Sequence, residues 1–314
     1  MSELKNRFTW SYSAADEFET CRRKRYWSKY AGWGGWEKDA PELARKAYRL
    51  SKMVNIYTLT GNAAERAVMW TLRRLQAGAT VAAQEAYQAA ARPFLNEAWR
   101  SSRQQLWKQD PKKYPCLREH YYREWEPETE REQVQRAKDT VIACAENFIR
   151  LVWPRLKEVR HEQELVTSAS IGTHPQAIEV DRIPVYAVPD YAYQSGEDVC
   201  IHDWKSGRPR ESHMDQLSLY GLWANRRFGV APENIVVFVE YLHPGEVVAR
   251  RIGPEELARI IGFIRSSVAD MAEYVVDGDI LRNEPLPAEE WDAAADSSLC
   301  RNCNYREICA PYTG

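Results

Sequence analysis

The sequence predicts an α/β protein. Residues from about 163 to 206 are rich in Val, Ile, Tyr and Thr and alternate apolar with polar side chains. Long flanking segments repeat their apolar residues at helical spacing instead. The chain has 314 residues, 44% hydrophobic and 28% charged. That is enough apolar material for a true core and excludes wholesale disorder. The length suits one large domain or two ordinary ones.

Residues 12–30 read as a helix, with Ser13 as N-cap and Asp16 as its box partner. The segment Gly32-Trp33-Gly34-Gly35-Trp36 breaks it. Residues 42–54 return to helix, and Gly61 opens another that runs to about Leu75. The stretches 80–109 and 128–158 are long, polar and helical in period. The second aligns Val134, Ala137, Val141, Ala145 and Phe148, and Pro111 and Pro115 separate the two. Three strands follow: 163–171, 177–193 with a bend at Pro184, and 198–205. A helix at 212–228, strands at 234–242 and 246–252, and a helix at 254–277 started by Pro254 come next. The expected parts are N-terminal helices over 1–79, a helical insertion over 80–160, a core over 161–278 and a cysteine-rich tail over 279–314. They are expected to form one structural unit, and no internal repeat is visible.

The net charge of −2 removes any global electrostatic argument for nucleic acid, so a site for it must be a local patch. No apolar run reaches membrane-span length and no secretion segment opens the chain, so a cytoplasmic protein without a membrane partner is expected. Seven cysteines are then unlike a disulfide framework. Twelve Trp fit a large aromatic core.

The most informative stretch runs from Pro189-Asp190 to Asp203-Trp204-Lys205. Ser195-Gly196 suits a two-residue turn, which sets Gln194 against Glu197 and Asp190 against Ile201. Asp190, Asp203 and Lys205 then share one face, the carboxylates at a diagonal spacing of about 7–8 Å. Such a pair can flank Mg2+, which binds carboxylate oxygens and keeps several waters. The ion can activate a water and neutralise charge on a phosphate, and an ammonium beside it assists. The bland alternative is a surface hairpin with ordinary charges. Glu65 offers a third acid, or else a first-turn Glu favoured by the helix dipole. Gln216 and Tyr220, at i and i+4, share a face of the helix after the Lys205 strand. They can overhang the site or simply pack.

Cys300-x-x-Cys303 followed by Cys309 places three thiols on a short loop. A closed metal site needs a fourth ligand. Cys21, His120, His161 or another Cys can supply it. Zinc and a 4Fe–4S cluster both suit the spacing. With Cys21, the site would clasp the two ends of the chain.

In order, Ser11-Tyr12-Ser13, Phe18-x-x-Cys21, Gly61-x-x-x-Glu65, Pro189-Asp190, Asp203-Trp204-Lys205-Ser206-Gly207, Gln216-x-x-x-Tyr220 and the cysteine tail resemble the PD-(D/E)XK nuclease superfamily. More narrowly they resemble RecB-type nucleases with an iron–sulfur cluster, including AddB and the CRISPR-associated adaptation nucleases. Each motif is weak; their joint order is strong. It covers most of the chain except about 80–160. The resemblance implies a restriction-endonuclease-like core, a central mixed sheet flanked by helices. It implies a Mg2+- or Mn2+-dependent deoxyribonuclease, more an exonuclease than an endonuclease. Asp190, Asp203 and the Trp204 carbonyl would hold the metal with Glu65, and Lys205 would be the catalytic lysine. Gln216 and Tyr220 would match a DNA-contacting helix. Cys21, Cys300, Cys303 and Cys309 would hold a structural 4Fe–4S cluster. The run Arg22, Arg23, Lys24, Arg25 then reads as a phosphate track or as a solvated helix face.

Two departures stand out. These nucleases usually carry His where Glu65 stands, and a Glu favours a hard ion such as Mg2+. Arg22 stands where they often have Pro. The expected partner is DNA with single-stranded ends. No GxxxxGK[ST] motif is present, so unwinding would come from a helicase or another complex subunit. Two rival readings are a non-catalytic DNA-binding or scaffold subunit on the same fold, motivated by Glu65, and a zinc-stabilised interaction module. Oligomeric state is not legible in the chain.

Overall fold

Ten strands form three sheets among the residues described by the computed structural model, 5–167 and 177–309. The far end of the strand expected over 163–171, and residues 1–4 and 310–314 of the expected end segments, lie outside them. The strands are β1 (Trp10–Ser11), β2 (Met53–Val54), β3 (Cys116–Leu117), β4 (Glu164–Thr167), β5 (Ala177–Val180), β6 (Ile183–Tyr186), β7 (Tyr191–Ser195), β8 (Asp198–Lys205), β9 (Ile235–Tyr241) and β10 (Glu246–Arg251). The main sheet runs β10-β9-β8-β7-β4. Within this sheet, among the described residues, β8 and β9 alone pair in parallel, and the helix Ser212–Phe228 makes the crossover between them. The other pairs are antiparallel. A second sheet has the order β1-β6-β5, and β2 pairs with β3. The result is a mixed α/β architecture consistent with a restriction-endonuclease-like fold.

β8 is buried on both sides, which is why its sequence is nearly continuous in apolar residues. Val199 and Ile201 point into a core built with Leu217, Trp223, Ile260 and Trp10. Cys200 and Trp204 point the other way, toward Val68, Leu72, Phe148 and Tyr87. The period of two along the strand separates the two sets. Trp10 and Trp223 are fully buried, and each large apolar side chain removed from water contributes about 1.5–3 kcal/mol. The second core also takes Ala86, Ala91 and Val141 from the expected insertion. That segment is therefore one wall of the core.

Several elements differ from expectation for local reasons. The first helix is Tyr12–Thr20, and its cap is Ser11, whose Oγ accepts from the Ala14 N–H at 3.2 Å; Ser13 lies inside it. Cys21 is extended and ends it. The chain then re-enters helix over Arg22–Tyr26 and a π-helical turn over Trp27–Ala31. The next helix stops at Ser51, and Met53 and Val54 pair as a strand with β3. The helix expected to open at Gly61 begins at Ile56, where Asn55 Oδ1 caps the Thr58 N–H at 2.8 Å. Glu65 is consequently in its third turn, beyond the reach of the dipole's first turn. The 80–109 stretch divides into Ala83–Ala86, a π turn over Tyr87–Ala91, Arg92–Arg103 and Leu106–Lys108. Pro127–Asn147 continues through a π turn into Trp153–Leu156, as the periodicity of 128–158 predicts.

The expected strand 177–193 is three strands. Asp181 and Arg182 both have positive φ, 49° and 66°, and turn β5 back on β6. That sign pattern belongs to a type I′ hairpin, whose usual Asn-Gly signature is missing here. The last long helix ends at Ala272.

The two ends of the chain meet. Trp291 packs against the rings of Tyr26, Tyr30 and Tyr274 with centroids 5.7, 5.5 and 4.8 Å away. Arg23 Nε donates to the Trp291 carbonyl at 2.8 Å, and the Arg23 N–H donates to the Asp292 carbonyl at 2.9 Å.

Candidate active site

The β7–β8 hairpin turns at Gly196-Glu197, one residue later than the sequence suggests. Ser195 faces Asp198 and Tyr191 faces His202. Gly196 has φ +61° and Glu197 does not join the positive-φ residues, the sign pattern of a type II′ turn with Gly first. The register moves by two residues. Because side chains alternate with period two, the faces do not change. What changes is the opposition: continuing the ladder by one residue sets Asp190 directly against Asp203, where Ile201 was expected.

Asp203 is 3% exposed. Its Oδ1 accepts from the Tyr220 hydroxyl at 3.0 Å, and its Oδ2 lies 2.7 Å from Lys205 Nζ. The Lys205 contact is ionic and off the hydrogen-bonding direction, which leaves Oδ2 without a hydrogen bond. Lys205 donates instead to Gln216 Oε1 at 3.0 Å. Gln216 Nε2 donates to the Tyr220 oxygen at 2.8 Å, and the Tyr220 hydroxyl is also 3.2 Å from the Val188 carbonyl. Gln216 and Tyr220 thus do overhang the strand end, and each holds one of the two β8 side chains. Asp190 Oδ2 accepts from the Trp204 N–H at 2.6 Å.

The electrostatics follow from this enclosure. Burial, then the facing Asp203 charge, pushes the Asp190 carboxyl well above the usual range; the Trp204 N–H and Lys205 pull against that, and Glu65 adds to it. Glu65 therefore belongs to the same electrostatic site, although it arrives from the helix Ile56–Gln76. Burial, Asp203 and Asp190 likewise push the Tyr220 phenol far up, so it stays a donor. His213 closes the rim. Its Nδ1 is 3.1 Å from the Tyr241 hydroxyl, and burial followed by Lys205 pushes its pKa down.

The family model of the PD-(D/E)XK nuclease superfamily matches residues 9–310. The chain belongs to the PD-(D/E)XK nuclease superfamily. No curated protein matches it. Members of this superfamily act on nucleic acid and typically use divalent metals such as Mg2+ or Mn2+.

Among the described residues, no group of three or more His, Cys, Asp or Glu side chains stands in metal-holding geometry. The donors nevertheless fit a superfamily cation by chemistry. Glu65, Asp190, Asp203 and the Trp204 carbonyl offer hard oxygen ligands. Asp203 Oδ2 is buried without a hydrogen bond, and two carboxylates face each other with one ammonium beside Asp203. Such a pair gains from a cation.

The four cysteines of the superfamily resemblance also approach one another. Burial pushes the Cys303 thiol up to about 11, with Cys21 and Cys309 adding to the shift. Burial also raises Cys309, with Cys21 and Cys300 among its neighbours. All four are free thiols. Cys21 Sγ accepts from the Lys24 N–H and Cys303 Sγ from the Tyr305 N–H, both at 3.4 Å. The buried Trp27 Nε1 makes no hydrogen bond of ordinary geometry, yet its approach holds the Cys309 shift back.

The basic run has internal partners. Arg23 holds the Trp291 loop. Lys24 and Arg25 pair with Glu17 at 3.6 and 3.5 Å. The Arg22 guanidinium lies 5.1 Å from the Phe18 ring centroid. These contacts brace the N-terminal helices.

Two features of the site escape sequence reasoning. The Val188 carbonyl is a backbone acceptor with no residue-type signal. The approach of Gly61 to Ser206 joins positions remote in the chain; a glycine in mid-helix was its only trace. Among the described residues no helix is long and apolar enough to cross a membrane.

Proposed function

We propose that this chain is a metal-dependent deoxyribonuclease of RecB type that acts as an exonuclease. What carries the reading is the convergence on Asp203: a buried carboxylate that faces Asp190, takes the Tyr220 hydroxyl on one oxygen and has the Lys205 ammonium beside the other. Glu65, Asp190, Asp203 and the Trp204 carbonyl would hold Mg2+ or Mn2+, which when bound would activate a water and neutralise charge on the scissile phosphate.

Lys205 stabilises negative charge that builds on the phosphate oxygens as water adds and the bond to one flanking deoxyribose oxygen breaks. Gln216 aims the ammonium. Tyr220 fixes the Asp203 carboxylate, and the Trp204 N–H fixes that of Asp190. Cys21, Cys300, Cys303 and Cys309 hold a 4Fe–4S cluster that ties the N-terminal helices to the tail. Its role is structural. The substrate is DNA with single-stranded ends, opened by a helicase or another subunit, in the cytoplasm.

The deciding assay offers end-labelled single- and double-stranded DNA, and a circular single strand, to the purified protein over a Mg2+ and Mn2+ series. Progressive loss of linear substrate with survival of the circle is expected. Tight DNA binding with no hydrolysis under any metal would overturn the reading in favour of a scaffold subunit.

A further inference from the structure

The stripe of helix Ile56–Gln76 that carries Glu65 continues past it. Asn62, Arg66, Met69, Trp70 and Arg73 lie three or four residues apart, on one side of the helix. With Glu65 and Phe94 they line a single cleft of about 520 Å3. One wall is therefore the helix that bears a proposed metal ligand. The other is the helix Arg92–Arg103 of the insertion.

The lining has a definite chemistry. Arg66 is exposed, lies 4.3 Å from the Phe94 ring centroid and forms no ion pair among the described residues. Trp70 and Phe94 are half-buried at the edge of the second core, so part of each aromatic surface stays accessible. Packing accounts for the buried part of these rings. It does not account for a guanidinium that lies over Phe94 with no ion-pair partner among the described residues. A cation beside aromatic surfaces suits a sugar–phosphate strand whose bases are unstacked. Paired bases present edges and not faces, so a duplex cannot use these rings.

We propose that this cleft receives the unpaired nucleotide next to the bond that is cut, its base stacking on Trp70 and Phe94 and its phosphate meeting Arg66. The inference rests on the nuclease reading of the Asp190–Asp203 site and deepens it: Trp70, Phe94 and Arg66 select a single strand. The insertion then has a task, because it supplies Phe94 and so closes the second side of the slot.

The test measures binding of a short fluorescent oligonucleotide, single-stranded or as a duplex, by anisotropy in EDTA, so that hydrolysis plays no part. The variants are Trp70→Leu, Phe94→Leu and Arg66→Gln. The leucines keep an apolar body for the core, and Arg66 is exposed, so folding is checked by circular dichroism and expected to hold. Single-strand affinity should fall about 10- to 100-fold in Trp70→Leu, since base–aromatic stacking is worth about 1–3 kcal/mol. Arg66→Gln should flatten the salt dependence by about one phosphate contact. Duplex affinity should change little. Wild-type single-strand affinity in folded Trp70→Leu and Arg66→Gln, or equal losses for single strand and duplex, would overturn the proposal. A wild-type protein that neither binds nor cuts DNA would instead sink the nuclease reading itself.

Discussion

Gly61 touches Ser206: a Cβ built on the glycine would lie 3.3 Å from the serine Oγ. The helix Ile56–Gln76 thereby meets the end of β8 with no side chain between them. Glu65, one turn further along the same side of the helix, is brought within electrostatic range of Asp190. A mid-helix glycine costs about 0.8–1.0 kcal/mol relative to Ala, so stability is given up for closeness. Gly61→Ala should leave activity and melting temperature nearly unchanged, because a serine hydroxyl can rotate a few tenths of an ångström and the helix gains propensity. Gly61→Leu should slow cleavage about tenfold or more, since small misplacements of reacting groups are costly. Adding Ser206→Gly to Gly61→Leu should recover part of the loss. Full activity in Gly61→Leu would deny the contact a functional role.

Lys205, Gln216, Tyr220 and Asp203 act as one linked unit. Lys205→Ala and Asp203→Asn should each lower single-turnover cleavage by about 10²- to 10³-fold or more, the usual loss for a group that stabilises charge in the transition state. Gln216→Ala should cost less, because it only aims Lys205. Tyr220→Phe should lower stability by about 1–3 kcal/mol, since it leaves a buried carboxylate oxygen without its donor. Denaturation curves and rates on the same preparations separate the two effects. Cleavage at the wild-type rate in Lys205→Ala would remove that residue from the chemistry.

The legible parts of this molecule were those with a short-range code. The β8 sequence, its crossover helix and the face shared by Asp190, Asp203 and Lys205 follow from alternation and periodicity alone. The facing of Asp190 with Asp203 was misjudged by two residues because Ser195-Gly196 and Gly196-Glu197 are both plausible turns, and nothing local decides between them. The Asp181-Arg182 hairpin was missed because both residues adopt positive φ without a glycine. The break at Cys21 was missed because an extended residue inside a helical pattern has no composition signal. Glu65 was placed one and a half turns too near its helix start, since Asn55 is a cap as good as many others in the chain. The partner of Arg23 lies on the Trp291 loop, some 270 residues away in sequence.

The cysteine proposal predicts a brown protein. Anaerobic preparation should yield about four iron and four sulfide per chain. Cys303→Ser should lose both and unfold at lower temperature, because the clasp closes nearly the whole chain into a loop. The Trp291 packing should keep the ends partly joined in that variant, so it should melt early rather than fail to fold. A colourless protein with stoichiometric zinc would replace the cluster by a zinc site.

Glu164 gives a pH dependence separate from the active site. Burial alone would raise its carboxyl, but hydrogen bonds from Gln76, Arg73 and Tyr191 outweigh that and hold it below the usual range. A depressed folded pKa stabilises the protein above the unfolded value of about 4.3 and is lost as pH falls through the lower folded value. Glu164→Gln should therefore be less stable than wild type at pH 7, and the gap should narrow steadily below about pH 4. A gap that stays constant between pH 7 and pH 3 would show that shape, not charge, accounts for the loss.

Asp190 should behave in the opposite sense. Its carboxyl is half-buried, faces Asp203 and, among the described residues, accepts a hydrogen bond from the Trp204 N–H alone. With the carboxyl pushed up, the cation-free fold loses stability as pH rises from the unfolded value of about 3.9 through that raised pKa. Asp190→Asn keeps an oxygen for the Trp204 N–H and removes the repulsion. In EDTA at pH 7 the variant should melt at or above the wild-type temperature while losing cleavage. Adding Mg2+ or Mn2+ should raise the wild-type melting temperature, by about 2.7 kcal/mol of stability at a hundredfold excess over Kd, and leave the variant unmoved. Equal metal-induced shifts in both proteins would place the cation elsewhere, and with it the chemistry assigned to the β7–β8 hairpin.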